Sequence, residues 1–164
     1  MVRNPALTHM KVVVGEAVIA SSAATFSAVL LEAPVWAMFV GWISFFTRGL
    51  VNLKQGAINL ACVLIGLVLG MGAAHALAVL TPLLGEYAVS AVVFVITGAA
   101  LSLAKAPVFN NLLGFFLGLV AYFAYHQPPS VSKFALLAVA ATLGATAAFL
   151  AHALQARIRA KAAA

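Results

Sequence analysis

The sequence predicts an all-α, polytopic membrane protein with six transmembrane helices, arranged as a 3+3 inverted repeat with both termini in the cytoplasm. Three observations support this fold class: the composition, the placement of the few charges, and a similarity between the two halves. The 164 residues are 65% hydrophobic and 7% charged, and the mean hydropathy is +1.14. Soluble domains carry about 25% charged residues. The chain is therefore not expected to be a soluble enzyme, a nucleic-acid-binding domain or a disordered tail.

The first half of the chain contains three apolar segments. The first covers residues 12–31 and continues past the small residues where a signal peptide would be cleaved, so it is expected to span. The second covers residues 35–47 and begins after Pro34. It would form about 20 Å of helix against a hydrocarbon core of about 30 Å, so it borrows flanking residues or does not fully span. The third covers residues 56–80 and is expected to stop at Pro82.

The second half repeats this pattern with segments at 87–104, 108–125 and 134–156. Proline and charge separate them, as expected where chain breaks are tolerated. Barrel strands would need alternating polarity over about ten residues, whereas these runs are longer and apolar on every face. Six crossings of about 20 residues use most of the chain, which leaves only short loops. We therefore expect a single membrane domain and no extramembrane catalytic domain.

The basic residues predict the orientation of these segments. With a cytoplasmic N-terminus, eight of the nine lysines and arginines fall on the cytoplasmic side, and Lys133 alone falls outside. The eight are Arg3, Lys11, Arg48, Lys54, Lys105, Arg157, Arg159 and Lys161. This is a positive-inside pattern. It predicts a multi-pass membrane protein with both termini in the cytoplasm, whose net charge of +6 reflects topology and contact with the lipid bilayer.

A similarity between the halves appears when the sequence is shifted by 77 positions. The matched pairs include Phe39 with Phe116, Gly41 with Gly118, Phe46 with Phe123, and His75 with His152. The first repeat covers about residues 11–81 and the second about 86–156, followed by a basic cytoplasmic tail at 157–164. Because each unit has three helices, the two units are expected to cross the membrane in opposite directions.

The matched Phe-x-Gly-x4-Phe motifs lie on the two short segments and are candidates for a solute path. Glycine lets a solute or another backbone approach closely, and the paired aromatics could form a narrow apolar slot. The alternative is ordinary packing, with glycine at a helix contact and phenylalanine facing lipid. Asn110 and Asn111, placed near the outer mouth of the fifth segment, are candidates for binding a polar solute, or else hydrogen-bond between helices.

The remaining candidates are His75 near the outer end of its helix and His152 near the inner end of its own. They could flank the two mouths of a path and titrate near neutral pH, or simply hydrogen-bond to a carbonyl. No metal or catalytic constellation is expected, Cys62 reads as a small buried residue, and no cofactor is expected. Proton-coupled carriers usually keep an ionisable residue at a helix centre, and none of the three glutamates clearly lies there.

Together these features predict a channel or facilitator for a small uncharged or weakly charged solute, such as urea, a short amide or ammonia. The path would follow the repeat interface, and the protein would work as a homo-oligomer. The alternative is a non-transporting scaffold or an accessory subunit of a larger complex. An enzyme and a nucleic-acid partner are not expected.

Several short motifs resemble a known family. The segment Val35-Trp36-Ala37-Met38-Phe39-Val40-Gly41, followed by Phe45-Phe46 and Lys54-Gln55-Gly56, resembles the bacterial family numbered 1097 among domains of unknown function. The stretch Val95-Ile96-Thr97-Gly98 and the motif from Phe116 to Phe123 resemble it in the same order. The similarity covers about residues 12–155. It implies a small bacterial inner-membrane protein and carries no activity with it.

Overall fold

The computed structural model describes residues 5–49 and 52–163, and within those ranges it contains six α-helices and no strand. The helices are α1 (Pro5–Thr25), α2 (Val35–Phe45), α3 (Leu53–Leu84), α4 (Tyr87–Leu103), α5 (Leu112–Ala124) and α6 (Val131–Ala163). A π-helical turn, Phe26–Leu30, extends α1. The predicted all-α class is confirmed, while Arg3 of the charge count lies outside the described residues.

Three of these helices are long and apolar enough to cross a membrane. They are α1 with its π-helical extension (26 residues), α3 (32 residues) and α6 (33 residues). The other three, α2, α4 and α5, are equally apolar but have 11, 17 and 13 residues. The apolar helices indicate an integral membrane protein with three clear candidate spans and three shorter helices packed among them.

Helix α5 begins later than the sequence predicted. The expected start was residue 108, but the chain is non-helical until Asn111, which caps the helix by accepting a hydrogen bond from Gly114 N–H at 3.1 Å. Asparagine is among the best N-cap residues because its side chain satisfies one of the unpaired first-turn donors. The segment predicted at 108–125 therefore begins with a non-helical stretch at 108–111 and is helical from Leu112 to Ala124.

Helix α3 is longer than expected because it passes through Pro82. The predicted stop at Thr81-Pro82 is wrong: the helix ends at Leu84, where Gly85 adopts a φ of +55° and its N–H bonds to the Thr81 carbonyl at 2.9 Å. A proline in the last turn removes only one ladder bond, and few bonds remain beyond it to be lost. Helix α6 likewise continues past residue 156, so the basic tail is helical as far as Ala163.

The tightest contact of α2 is with α6, the last helix of the chain. A Cβ atom added to Gly41 would lie 1.8 Å from the carbonyl oxygen of Ala141. One added to Gly144 would lie 1.7 Å from the carbonyl oxygen of Met38. These two glycines let the helix backbones touch, as small residues do at membrane helix interfaces. We call this contact the α2–α6 crossing.

The tightest contact of α5 is with α3, and it has the same form. A Cβ atom on Gly118 would lie 2.0 Å from the carbonyl oxygen of Val63. One on Gly66 would lie 2.1 Å from the carbonyl oxygen of Phe115. We call this contact the α3–α5 crossing. Helix α1 packs beside α6 and helix α4 beside α3, so each short helix lies against a long helix from the other half of the chain.

Candidate functional site

A buried group of polar side chains joins the ends of α2, α3 and α5. The Asn59 side chain is fully buried, and its Oδ1 accepts hydrogen bonds from Gln55 Nε2 at 3.0 Å and Asn111 Nδ2 at 2.9 Å. Asn111 Nδ2 also donates to Thr47 Oγ1 at 2.6 Å. We call these four residues the amide cluster. No buried side-chain nitrogen or oxygen of the described residues lacks a hydrogen-bond partner, and the cluster fastens the two loops beside the short helices to α3.

An open depression of about 400 Å³ adjoins the amide cluster. Its polar lining comes from Arg48, Lys54, Gln55 and Asn110, and the Arg48 guanidinium donates a hydrogen bond to Asn110 Oδ1. Asn110 and Asn111 thus lie at the same end of the bundle as Arg48 and Lys54, the end that the charge count assigns to the cytoplasm. With that assignment they lie at the cytoplasmic mouth rather than at the outer mouth where they were expected. Their position follows from helix order, since Lys105 lies just before them.

A second polar depression, of about 500 Å³, lies beyond the other end of α5. Its lining includes Tyr125, Gln127, Ser130, Ser132 and Lys133. Ser130 caps α6, because its Oγ accepts a hydrogen bond from Lys133 N–H at 3.1 Å. The two depressions therefore lie at opposite ends of one 13-residue helix.

Lys133 is the most deeply buried cation of the described residues. Its side chain is only 6% exposed, and Nζ donates to the Gln127 carbonyl at 2.7 Å. The ammonium also lies 4.2 Å from the centre of the Tyr122 ring, within the range of a cation–π interaction. The phenol oxygen of Tyr122 in turn accepts a hydrogen bond from Ser130 N–H at 3.3 Å. In the sequence, Lys133 is distinguished only as the one basic residue that the charge count assigns to the outside, because no local pattern signals its burial.

The four phenylalanines of the matched motifs do not meet in one place. Phe39, Phe46 and Phe123 are 39%, 40% and 37% exposed on the outside of the protomer, and Phe116 is half-buried. Phe46 packs edge-on against Phe45, with ring centres 5.2 Å apart. Phe123 packs edge-on in the same way against Tyr122 at 6.4 Å. At the two motif glycines, Gly41 and Gly118, the space that a side chain would occupy is taken by the backbone of a neighbouring helix.

The two histidines of the predicted mouths have different surroundings. His75 is exposed, and its Nδ1 lies 2.8 Å from the Met71 carbonyl, one turn back on the same helix. His152 is half-buried, with its ring centre 6.4 Å from that of Phe45. His152 therefore lies near the amide-cluster end of α2. Neither ring lines either of the two polar depressions.

A small, open apolar cavity of about 150 Å³ lies on the surface between α2, α3 and α6, where several of its wall residues are exposed. Its walls include Phe45, Gly56, Ala57, Thr146 and Phe149. Gly56 lets the Phe45 ring pack directly against α3, since a Cβ there would lie 2.2 Å from that ring. The sequence motif predicted the neighbouring Phe46 as the lining residue. Phe45 lines the cavity instead, because adjacent residues of a helix point about 100° apart.

The described residues contain no group of three or more histidine, cysteine or acidic side chains that could hold a metal ion. Cys62 is free and fully buried between α3 and α5. What the described chain offers is hydrogen-bonding and cationic groups at two ends and an apolar cavity between helices.

Composition, all-helical architecture and three span-length helices place the chain among integral membrane proteins. Residues 13–155 match the family described as "Protein of unknown function (DUF1097)". That match covers most of the chain, so the protein belongs to this family and the resemblance in its motifs is confirmed. No match was found among curated proteins or among solved structures.

Proposed function

We propose that the protein is an inverted-repeat channel or facilitator of the bacterial inner membrane for a small uncharged or weakly charged solute. The observation that carries the proposal is the equivalence of the α2–α6 and α3–α5 crossings. In each crossing, a glycine of the short helix meets a carbonyl of the long helix, and a glycine of the long helix meets a carbonyl of the short one. Inverted three-helix repeats recur in transporters, with the solute path at their interface.

The numbering of the two crossings supports a duplication. Adding 77 to Gly41 and Met38 gives Gly118 and Phe115, the corresponding residues of the other short helix. Adding 78 takes the long-helix residues of one crossing, Val63 and Gly66, to those of the other, Ala141 and Gly144. One residue of difference in the connecting loops accounts for the two offsets. With the long-helix offset of 78, His75 would correspond to residue 153. The match of His75 with His152, which uses an offset of 77, is therefore one residue out of register.

The route we propose joins the two polar depressions through the interface of the halves, where the apolar cavity beside Phe45 lies. A volume of 150 Å³ exceeds the roughly 30 Å³ that one liquid water occupies, so it suits urea, a short amide or ammonia. The described side chains around this cavity carry no charge, which favours uncharged solutes and a passive path.

Orientation, assembly and catalysis belong to the same proposal. All six helices span or line the membrane domain, with α2 and α5 as short members, and both termini are cytoplasmic. Each protomer carries its own path within a homo-oligomer, and the protein is not an enzyme. The six-span topology accounts for the amide-cluster depression, with Arg48 and Lys54, lying on the basic side.

The test is stopped-flow light scattering of proteoliposomes with urea, acetamide, ammonia and glycerol. The wild-type protein is expected to raise the permeability of at least one solute above that of empty vesicles. Ala57→Phe fills the cavity beside Phe45 and is expected to abolish the increase. Val68→Phe, on an exposed face of the same helix α3, is the matched control and is expected to keep it. No increase for any solute would overturn the proposal.

A non-transporting scaffold or accessory subunit is the second candidate. The filled glycine contacts and the outward-facing phenylalanines favour it, because within one protomer they leave no slot between the matched motifs. This alternative predicts wild-type permeability equal to that of empty vesicles, together with one partner that stays bound in stoichiometric amount through purification.

A further inference from the structure

The depression at the start of α6 contains a buried cation that has no counter-charge among the residues that the structure describes. Lys133 lines an open space of about 500 Å³ although only 6% of the residue is exposed. Its one hydrogen bond to protein goes to the neutral Gln127 carbonyl. Among the described residues, no carboxylate forms an ion pair with it. The Gln127 carbonyl engages one of the three ammonium donors and the Tyr122 ring faces the ammonium as well, which leaves a donor for something in the depression.

The surroundings of Lys133 add donors and no negative charge. Ser130 and Ser132 place two hydroxyl groups 3.1 Å apart on the wall of the depression. Helix α6 begins there at Val131, and the first turn of a helix has unpaired N–H groups and a partial positive charge. The Ser130 hydroxyl satisfies only the N–H of Lys133 itself. The Tyr122 ring below the ammonium holds it in place without neutralising it.

We propose that this depression binds an oxyanion, a phosphate or carboxylate group held by Lys133 Nζ with the serine hydroxyls and the first turn of α6. A buried charge is costly unless it is paired, and an anion in the open space supplies the missing charge. Charge-assisted hydrogen bonds from an ammonium to an oxyanion are among the strongest in proteins. The site does not depend on solute transport, and it would exist equally in a scaffold protein.

A free small anion and an anionic lipid headgroup share this chemistry, so the experiment has two arms. In the first, inorganic phosphate is titrated calorimetrically into the intact protein in phosphate-free maltoside micelles. In the second, native mass spectrometry measures retention of added phosphatidylglycerol. Lys133→Met removes the charge and keeps the length, Lys133→Arg restores the charge, and Lys105→Met removes an exposed lysine from the opposite end.

Lys133→Met is expected to weaken binding at least about tenfold, equivalent to one charged hydrogen bond, while Lys133→Arg and Lys105→Met retain it. Dependence on Lys133 in the phosphate arm identifies a free anion, and dependence in the lipid arm alone identifies a headgroup. If binding in both arms is unchanged by Lys133→Met, or is absent from the wild type, the proposal is overturned.

A second measurement covers the case in which Lys133→Met does not fold. Wild-type protein is acetylated with and without phosphate, and separately with and without phosphatidylglycerol, and modification is read by mass spectrometry. At least one ligand is expected to protect Lys133 and to leave Lys105 unprotected. Equal modification of Lys133 in all conditions contradicts the site.

Discussion

Substituting Gly41 by alanine should separate α2 from α6. The new Cβ would lie 1.8 Å from the Ala141 carbonyl oxygen, whereas ordinary contact begins at 3.4 Å, so the backbones must move apart by roughly 1.5 Å. Overpacking of this kind costs about 1–3 kcal/mol. Because the obstacle is a rigid carbonyl on a helix, the cost of Gly41→Ala should be at the upper end of this range, about 3 kcal/mol. Unfolding in mixed micelles with increasing dodecyl sulfate, followed by tryptophan fluorescence, measures the loss of free energy of unfolding.

The matched control is Gly72→Ala in the same protein. Gly72 lies in helix α3 with nothing within 4 Å of an added Cβ, and replacing a helical glycine by alanine gains about 0.5–1 kcal/mol. Gly118→Ala, whose Cβ would lie 2.0 Å from the Val63 carbonyl oxygen, should lose as much as Gly41→Ala. If Gly41→Ala unfolds like the wild type or like Gly72→Ala, the close backbone contact does not exist.

Three further predictions concern burial and orientation. Asn59→Leu removes the shared acceptor of the amide cluster and should cost about 1–3 kcal/mol in the same unfolding assay. Thr142→Val, which loses only an exposed bond within its own helix, should cost much less, and an equal loss would contradict the cluster. Cys62, fully buried, should resist a membrane-permeant maleimide until the protein is unfolded, and rapid labelling of the native protein would refute its burial. In a Cys62→Ala background, Gln127→Cys should react with an impermeant maleimide from outside intact cells and Lys105→Cys only after lysis; the reverse pattern would invert the topology.

The all-helical class and the order of the helices could be predicted from the sequence because composition and helix breaks are local signals. The start of α2 at Val35 and the bounds of α4 agree with the predicted segments within a residue. Pro34 sets the first of these starts, since its fixed φ and missing N–H interrupt a continuous helix. Family membership followed from short motifs spread along the chain.

What could not be predicted depends on contacts between distant residues. Nothing near Lys133 in the sequence shows that the Tyr122 ring and the Gln127 carbonyl enclose it. The end of the bundle at which Asn111 lies could have been predicted from the sequence, because counting helices places it on the same side as Lys105. The helix against which each short helix packs could not be predicted from the sequence, since a glycine permits close contact without specifying which helix makes it.

The crossed pairing of the helices constrains how the chain is assembled during synthesis. Gly41 has its backbone partner on α6, about a hundred residues later, so α2 leaves the ribosome long before its main contact surface exists. At a synthesis rate of about 5–20 residues per second, α2 waits on the order of 5–20 s for that surface. Helix α5, by contrast, meets an α3 that has already been made. The α3–α5 crossing can therefore form first. The α2–α6 crossing forms only after α6, the last helix, has been made.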